Sequence, residues 1–530
     1  MHTKIIIGLL ALVVLVAQAP TTNGAKILAV FSFPGKSHYM MHNTLIEELL
    51  KHGHQVTAIT GLTLGPEKLG SNYTEILIDP MCRYWEELPK QFGGGDIYNI
   101  DTDVVVFLKI VHFMGVLTTE HALKQPNIQA IINAKETQGV YDLLLVEQFA
   151  QEAFLALAHI YNVPVISSAT FAQQTYMSQM FGIMSPWSYV PHGFLPYTEH
   201  MSFLERIKNT YYCLRHDLER EYSYYPQMDE LVQKYFGHLP IKFPSISAMT
   251  QNLSAILINN HAPLNSAGPL SDSFINVGGM HIKPPKPLPS DIKKFLDEAK
   301  HGAIYFSLGS QVQSKDMPLD KLRVFLDVFR SLKQRVLWKF ENDSIAELPE
   351  NVMIQQWLPQ NDILAHPNVR AFISHGGLFG TQEAAYHAVP ILGLPFYCDQ
   401  YLNIKKAQDG GYAIALDFRT LTREQLKNAL QQLVDNATYH DNMQRVSRIF
   451  RDRPMGPREN AMYWIDYVIR HKGARHWRTA GLDLNWFQFY LLDVISLIVA
   501  AVVAASVAAY LLTRWVARRL RGGQTKQKVQ

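Results

Sequence analysis

WLPQNDILAHPNVRAFISHGGLFGTQEAAYHAVPILGLPFYCDQ, from Trp357 to Gln400, decides the reading of the second half of this chain. Within it, Val369 to Ser374 (VRAFIS) is a short apolar run of the kind that forms a buried strand. His375, Gly376 and Gly377 follow at once, and a helix-compatible segment then ends before Pro390. A strand that feeds a helix through glycines exposes backbone N–H groups at the positive end of the helix dipole. The missing side chains at Gly376, Gly377 and Gly380 let a diphosphate approach the main chain. His375 can add a side-chain N–H. Glu383 lies eight residues after His375, on the same helical face, where its carboxylate can accept from ribose hydroxyls. Trp357 offers a flat face for a base. Asp399 and Gln400 follow the next apolar run, PILGLPF, at the carboxyl end of a neighbouring strand, where open α/β sheets place ligand contacts.

Each feature alone has a plainer reading. HGG is ordinary loop chemistry, a Trp just ahead of a Pro usually packs, and Asp399 can serve as a helix N-cap. What chance does not readily supply is the whole string in this order.

The same strand and helix rhythm runs outward in both directions. Lys26 to Phe33 (KILAVFSF) reads as a buried strand, followed by a turn containing Gly35, a helix from about Ser37 to Lys51 and a strand at Gln55 to Thr60. A second unit follows in Tyr141 to Val146, helical Glu152 to Tyr161, and Pro164 to Ser168. Lys283 to Pro289 (KPPKPLP) is the clearest linker, because four prolines in seven residues cannot continue a helix or a central strand. Beyond it come strand Ala303 to Leu308, helix Leu319 to Leu332 and strand Val336 to Phe340. The fold class is therefore α/β, with two doubly wound domains facing a cleft. No GxGxxG opens either half, which weighs against a dinucleotide oxidoreductase.

With 530 residues, 48% of them hydrophobic and 18% charged, the chain is ample for two globular domains, and disorder is not a serious reading. A net charge of +3 argues against a nucleic-acid partner. Met1 to about Gly24 reads as a cleavable secretory signal, since its apolar run is shorter than the ~20 residues of a spanning helix. Val494 to Thr513 is twenty residues without a charge, enough to cross a bilayer, and is edged by Trp486, Tyr490 and Trp515. A buried soluble helix is the alternative. The basic tail after it predicts a cytosolic C-terminus and a lumenal body. Lys526 and Lys528 resemble a KxKxx retrieval signal of the endoplasmic reticulum, with chance in a basic tail as the competitor. Cys82, Cys213 and Cys398 supply neither a disulfide framework nor zinc-ligand spacing, so no metal site is expected. Asn72, Asn252, Asn342 and Asn436 are glycosylation sequons.

The Trp357 to Gln400 stretch is similar to the signature sequence of the UDP-glycosyltransferases, most of all to the version in the animal UDP-glucuronosyltransferase group and its insect members. NVGGMHIKPPKPLP (Asn276 to Pro289), AIYFSLGS (Ala303 to Ser310) and MSFLERIKN (Met201 to Asn209) look like further landmarks, so the resemblance covers nearly the whole chain. It implies a GT-B fold with an acceptor domain at residues 25–282, a linker at 283–289 and a UDP-sugar domain at 290–482, whose last helices pack back on the first domain. By resemblance Trp357 stacks on uracil, Gln360 helps hold the uridine, His375 touches the diphosphate and Glu383 holds the ribose. Asp399 and Gln400 then contact the sugar hydroxyls, and Ser310 approaches the phosphates. Phe379 stands where many relatives have a diphosphate-binding Asn, which shifts that work to backbone N–H groups and Thr381.

His38 starts the first helix, at the carboxyl edge of the first strand, a position suited to a general base. An ordinary helix-start histidine is the competing reading, and the resemblance favours the base. Glu147 ends YDLLLVE where the family commonly pairs the histidine with Asp, and a helix-capping carboxylate is its alternative. The implied activity is an inverting, metal-independent transfer of glucose or glucuronate from a UDP-sugar to a hydroxyl of a small lipophilic acceptor, with no cofactor. The rival is a catalytically weak relative that captures lipophilic ligands or UDP-sugars, motivated by Glu147 and Phe379. Membrane is a partner in both readings, and a homo- or hetero-oligomer stays open.

Overall fold

The computed structural model describes residues 24–79, 98 and 103–526. The signal-like leader up to Asn23, Cys82 and Lys528 lie outside those residues. The described chain falls into two compact units, divided between Trp477 and Arg478.

The first unit holds two parallel sheets. One contains β1 (Lys26–Phe31), β2 (Gln55–Thr60), β3 (Tyr73–Leu77), β4 (Leu143–Glu147), β5 (Val165–Ala169), β6 (Ala255–Ile258) and β7 (Phe274–Asn276). Its order is β3-β2-β1-β4-β5-β6-β7. The other contains β8 (Ala303–Ser307), β9 (Arg335–Lys339), β10 (Val352–Gln355), β11 (Val369–Ser374), β12 (Ile391–Gly393) and β13 (Ala413–Ala415), in the order β10-β9-β8-β11-β12-β13. Both orders reverse direction once, between β1 and β4 and between β8 and β11. A crevice opens at the carboxyl ends of the strands at such a point.

Aliphatic runs explain the strands. β4 and β8 are buried throughout, as expected of parallel strands covered on both faces. Trp338 on β9 anchors the second sheet, stacked on Phe306 at 4.9 Å, with its indole N–H donating to Ser314 Oγ at 3.1 Å. The helices that matter for the site are α1 (Lys36–Lys51), α2 (Val104–Leu123), α3 (Phe203–Glu219), α4 (Leu378–Tyr386), α5 (Gln400–Asp409), α6 (Ala437–Arg451) and α7 (Pro457–Arg470). Helix α6 packs on α4, whereas α7 packs on α1 and β7, with Ala461, Met462, Ile465 and Val468 in the core beneath the first sheet. The chain thus crosses between the sheets a second time after α6.

The expected helix from Glu152 to Tyr161 opens on a 3-10 turn over Glu152–Leu155 and becomes α-helical from Ala156. Glu152 is turned inward there, where Tyr224 Oη and Gln148 Nε2 donate to its carboxylate. In the second unit, α8 (Leu492–Lys526) is a single helix that extends the expected span at both ends. All four sequon asparagines are exposed.

Trp338→Ala should destabilise the first unit by about 3 to 5 kcal/mol, because it opens a cavity and orphans Ser314. Denaturant unfolding followed by intrinsic fluorescence checks this.

Candidate active site

The two switch points carry the chemistry. On the first sheet, His38 sits in the first turn of α1 directly after β1, and Glu147 is the last residue of the adjacent β4. Although they are 109 residues apart, His38 Nδ1 lies 2.5 Å from Glu147 Oε1. Glu147 is therefore not spent on a helix cap, and its extra methylene relative to Asp does not part the pair. An Nδ1–H that donates to Glu147 leaves the lone pair of Nε2 free. Thr170 Oγ1, just beyond β5, is 3.1 Å from the same Nδ1. Burial raises the Glu147 carboxyl above its ordinary range, and the attraction of His38 opposes that rise.

The surroundings of this pair are apolar. The His38 ring lies 4.9 Å from Phe33 and 4.8 Å from Phe149, and Phe149 lies 5.9 Å from Phe171. Met114 and Ile110 of α2 join Phe33 and Phe149 in one cluster.

On the second sheet, β11 delivers His375 and the glycines. Gly376 adopts a φ of +84°, and a Cβ there would fall 2.4 Å from Ile404 Cγ1, so the position admits glycine alone. A Cβ on Gly309 would fall 2.6 Å from His375 Cε1, and one on Gly377 would fall 2.4 Å from Nε2. The His375 ring is thus seated between two glycine main chains. Burial, with the charge of Lys339, lowers its pKa to about 4, which makes it a neutral N–H donor near neutrality. Its Nδ1 has no hydrogen-bond partner among the described residues. Helix α4 starts at Gly377 with no side-chain cap, so its first-turn N–H groups are unspent.

Gln360 Nε2 donates to Glu383 Oε2 at 2.5 Å, and Tyr305 Oη donates to Gln360 Oε1 at 3.2 Å. Burial pushes the Glu383 carboxyl up to about 7, with the Gln360 amide opposing and the charge of Asp362 adding. Trp357 is 67% exposed, so it is not a packing residue. The Lys339 ammonium stands 5.8 Å from its ring centroid, and Lys339 also donates to Gly309 O at 2.9 Å. Ser310 lies one residue beyond that grip.

Asp399 does not cap α5 with its side chain. It accepts from Asn403 Nδ2 at 3.1 Å, and its buried carboxyl, raised by burial, is close enough to His38 to feel its charge. The two switch points therefore face each other. Some expected contacts are turned elsewhere. Gln400 Oε1 accepts from the backbone N–H groups of Phe396 and Tyr397 at 2.8 and 3.2 Å, which ties this side chain to its own loop. Thr381 Oγ1 donates to Gly377 O at 3.1 Å within α4. Gly380 borders the Gln360 amide, 3.3 Å from the position of an added Cβ.

Phe379 packs against the first domain: its ring meets His281 edge-on at 4.7 Å and joins the core under the first sheet. His281 Nε2 in turn lies 3.9 Å from Glu383 Oε1. Sequence reading did not single out Thr170, Lys339 or His281. Thr170 follows β5 and Lys339 ends β9, so both obey the strand-end rule that found His38 and Glu147.

Two parallel sheets meeting at their switch points have the GT-B architecture. The solved glycosyltransferase VinC in complex with dTDP matches with a TM-score of 0.58 at 13% identity, covering 84% of this chain and 100% of that one. The calicheamicin glycosyltransferase CalG4 matches at 0.56 and 16% identity, covering 85% and 99%. Residues 25–527 match the family "UDP-glucoronosyl and UDP-glucosyl transferase". UDP-glucosyltransferase 2 of Dactylopius coccus is 35% identical over 484 residues, 90% of each chain. UDP-glucuronosyltransferase 2B7 of Homo sapiens is 32% identical over 486 residues, 88% of each. The chain belongs to the UDP-glycosyltransferase family and takes a UDP-sugar as donor.

If Glu383 receives the ribose hydroxyls, its ionised form is the better acceptor and uridine affinity should rise as pH increases through about 7. Glu383→Gln should flatten that profile and weaken binding by roughly 1 to 3 kcal/mol. Calorimetry with uridine, which carries no phosphate to titrate, reads both effects.

Proposed function

We propose that the chain is a membrane-anchored enzyme that moves glucose or glucuronate from UDP to a hydroxyl of a small lipophilic acceptor in one inverting displacement. The observation that carries this reading is the 2.5 Å contact of His38 Nδ1 with the buried Glu147, opposite Asp399. In this scheme His38 Nε2 takes the acceptor proton. The acceptor oxygen bonds to the anomeric carbon on the face opposite UDP, while the bond to the diphosphate breaks and UDP leaves with the electron pair. Glu147 and Thr170 hold the ring, and the carboxylate stabilises the imidazolium as it forms. Backbone N–H groups at the start of α4, neutral His375 and the Lys339 charge take up the negative charge growing on UDP. Asp399 is the group assigned to the sugar hydroxyls.

Phe33, Phe149, Phe171 and Met114 favour a lipophilic acceptor beside His38. The insect relative is named for glucose and the human one for glucuronate, so both donors belong in any assay. The α8 helix, whose most apolar window has no buried residue, supports a single span with the basic tail in the cytosol and the sheets in the lumen of the endoplasmic reticulum.

His38→Ala should lower turnover by about 10²-fold or more while UDP affinity stays unchanged, because the base serves the acceptor and the diphosphate belongs to the other sheet. Assays with UDP-glucose and UDP-glucuronate against a panel of phenols, with calorimetry for UDP, test this. Unimpaired turnover of a bulky phenol overturns the base assignment. Saturable phenol binding by the parent protein without product would favour the ligand-binding reading.

Changing Lys526 and Lys528 to serine should preserve the span and weaken retention. Glycans that become resistant to endoglycosidase H are the expected readout. A variant that stays sensitive and reticular removes the tail signal from the scheme.

A further inference from the structure

Asp399 and the glycine turn stand on different elements, yet one side chain holds both. Asn403 lies one helical turn after Asp399 on α5, so the two share a face of that helix. It is buried, at 6% exposure. Its Nδ2 donates to Asp399 Oδ2 at 3.1 Å and to Gly376 O at 3.0 Å. A carboxylate and a carbonyl can only accept, so the nitrogen end of the amide must face them and both of its hydrogens are committed.

The bond to Gly376 has an effect on the next residue. In a planar trans peptide the C=O of one residue and the N–H of the following one point in opposite directions. A Gly376 carbonyl held against Asn403 therefore turns the Gly377 N–H away from α5. Gly376 is tied at its other end as well: its N–H donates to Ser374 Oγ at 3.1 Å, and Ile404, the residue after Asn403, fills the space where a Cβ would stand. The Gly377 N–H donates to no group among the described residues, and it opens α4 at the positive end of the helix dipole. A fixed peptide plane with its N–H unspent is a preorganised donor for an anion.

The bond to Asp399 acts on the carboxylate. Burial raises this carboxyl, and the Asn403 amide opposes the rise. The Cys398 thiol donates to the same group. A carboxylate has about four acceptor sites, so two donors orient it and still leave lone pairs for hydroxyls.

We propose that Asn403 is a positioning residue that joins the two ends of the donor site, aiming Asp399 at the sugar and the Gly377 N–H at the diphosphate through one amide nitrogen. The inference rests on the reading of Asp399 as the sugar contact and of the α4 start as the diphosphate seat. Asn403 itself touches no substrate atom. Through it, a shift at one end of the donor is felt at the other.

The test titrates the full chain in detergent, by calorimetry, with uridine, UDP, UDP-glucose and UDP-glucuronate. The gain in affinity from uridine to UDP reads the diphosphate seat, and the ratio of UDP-sugar to UDP affinity, taken for the better-bound sugar, reads the sugar seat. Asn403→Ala should leave uridine affinity within about twofold, because Trp357, Gln360 and Glu383 are untouched. It should cut both other readings by about fivefold to tenfold, one hydrogen bond being lost on each side. Asn403→Asp keeps the shape of the side chain but offers an oxygen in place of the donor, and should lose at least as much. Asp399→Ala should lower the sugar ratio alone, and adding Asn403→Ala to it should lower the diphosphate gain with no further loss in the sugar ratio.

Parent-like binding by Asn403→Asp overturns the proposal, since shape alone would then suffice. So does a full second loss of the sugar ratio in the double variant, or a fall in uridine affinity equal to the other losses, the mark of local collapse. An unchanged sugar ratio in Asp399→Ala refutes the reading of Asp399 and takes the sugar half with it. An unchanged uridine-to-UDP gain in Asn403→Ala, with Asp399→Ala impaired as expected, overturns the coupling while leaving that reading intact.

Discussion

Everything in the cleft depends on how α4 is held between the two sheets. Its start is the uncapped turn with Gly377, and one of its faces carries Glu383 toward Gln360. The other face belongs to the first domain. Gln382 Oε1 accepts from Gly279 N–H at 3.1 Å, Gln382 Nε2 donates to Asn259 O at 3.3 Å, and Phe379 packs on His281. The same short helix thus carries the glycine turn and Glu383 and ties both to the domain that holds His38. A buried amide that satisfies two backbone groups across a domain boundary tolerates little displacement, since sliding would strand buried polar groups without partners. The Asn to Phe departure at position 379 acquires a physical sense in this setting: an apolar ring at the boundary exchanges a polar contact for packing.

Burial sets the electrostatic character of the groove. His375 is kept neutral, Glu383 sits near the midpoint of its titration around neutrality, and Asp399 and Glu147 are pushed in the same direction. Lys339 is the formal cation beside the glycine turn, and Glu341 pairs with it at 2.5 Å. Among the described residues this turn thus offers directional N–H groups and one partly compensated charge, not a dense cationic cluster. Preorganised donors of this kind need little rearrangement when charge develops.

Local sequence carried the strands, the glycine turn and the strand-end residues, because each follows from a few adjacent side chains. VRAFIS reads as a buried strand that stops at HGG, and His38, Glu147 and His375 all sit where a buried run stops. What stayed hidden depends on which strands become neighbours. Thr170 meets His38 only because β5 lies beside β4, and Lys339 reaches Gly309 only because β9 lies beside β8. Gln400 uses its Oε1 on its own loop and Thr381 its hydroxyl hydrogen on Gly377 O, contacts that depend on local backbone geometry the residue types do not reveal.

The double crossing of the chain also constrains motion. One passage, through Asn276 to Ile282, is gripped by Arg453, Arg458 and Asn460, whose side chains donate to the carbonyls of Gly278, Met280, Ile282 and Asn276. The other passage leads from α6 to α7, and α7 is seated under the first sheet. A single linker would act as a universal joint, whereas two passages side by side act as the two leaves of a door hinge. Only rotation about the line through both is soft, while twist and translation are stiff. Any opening of the groove would therefore swing the far rim, with Trp357 on it, along one arc, and closure would return Asp399 to the same place in front of His38.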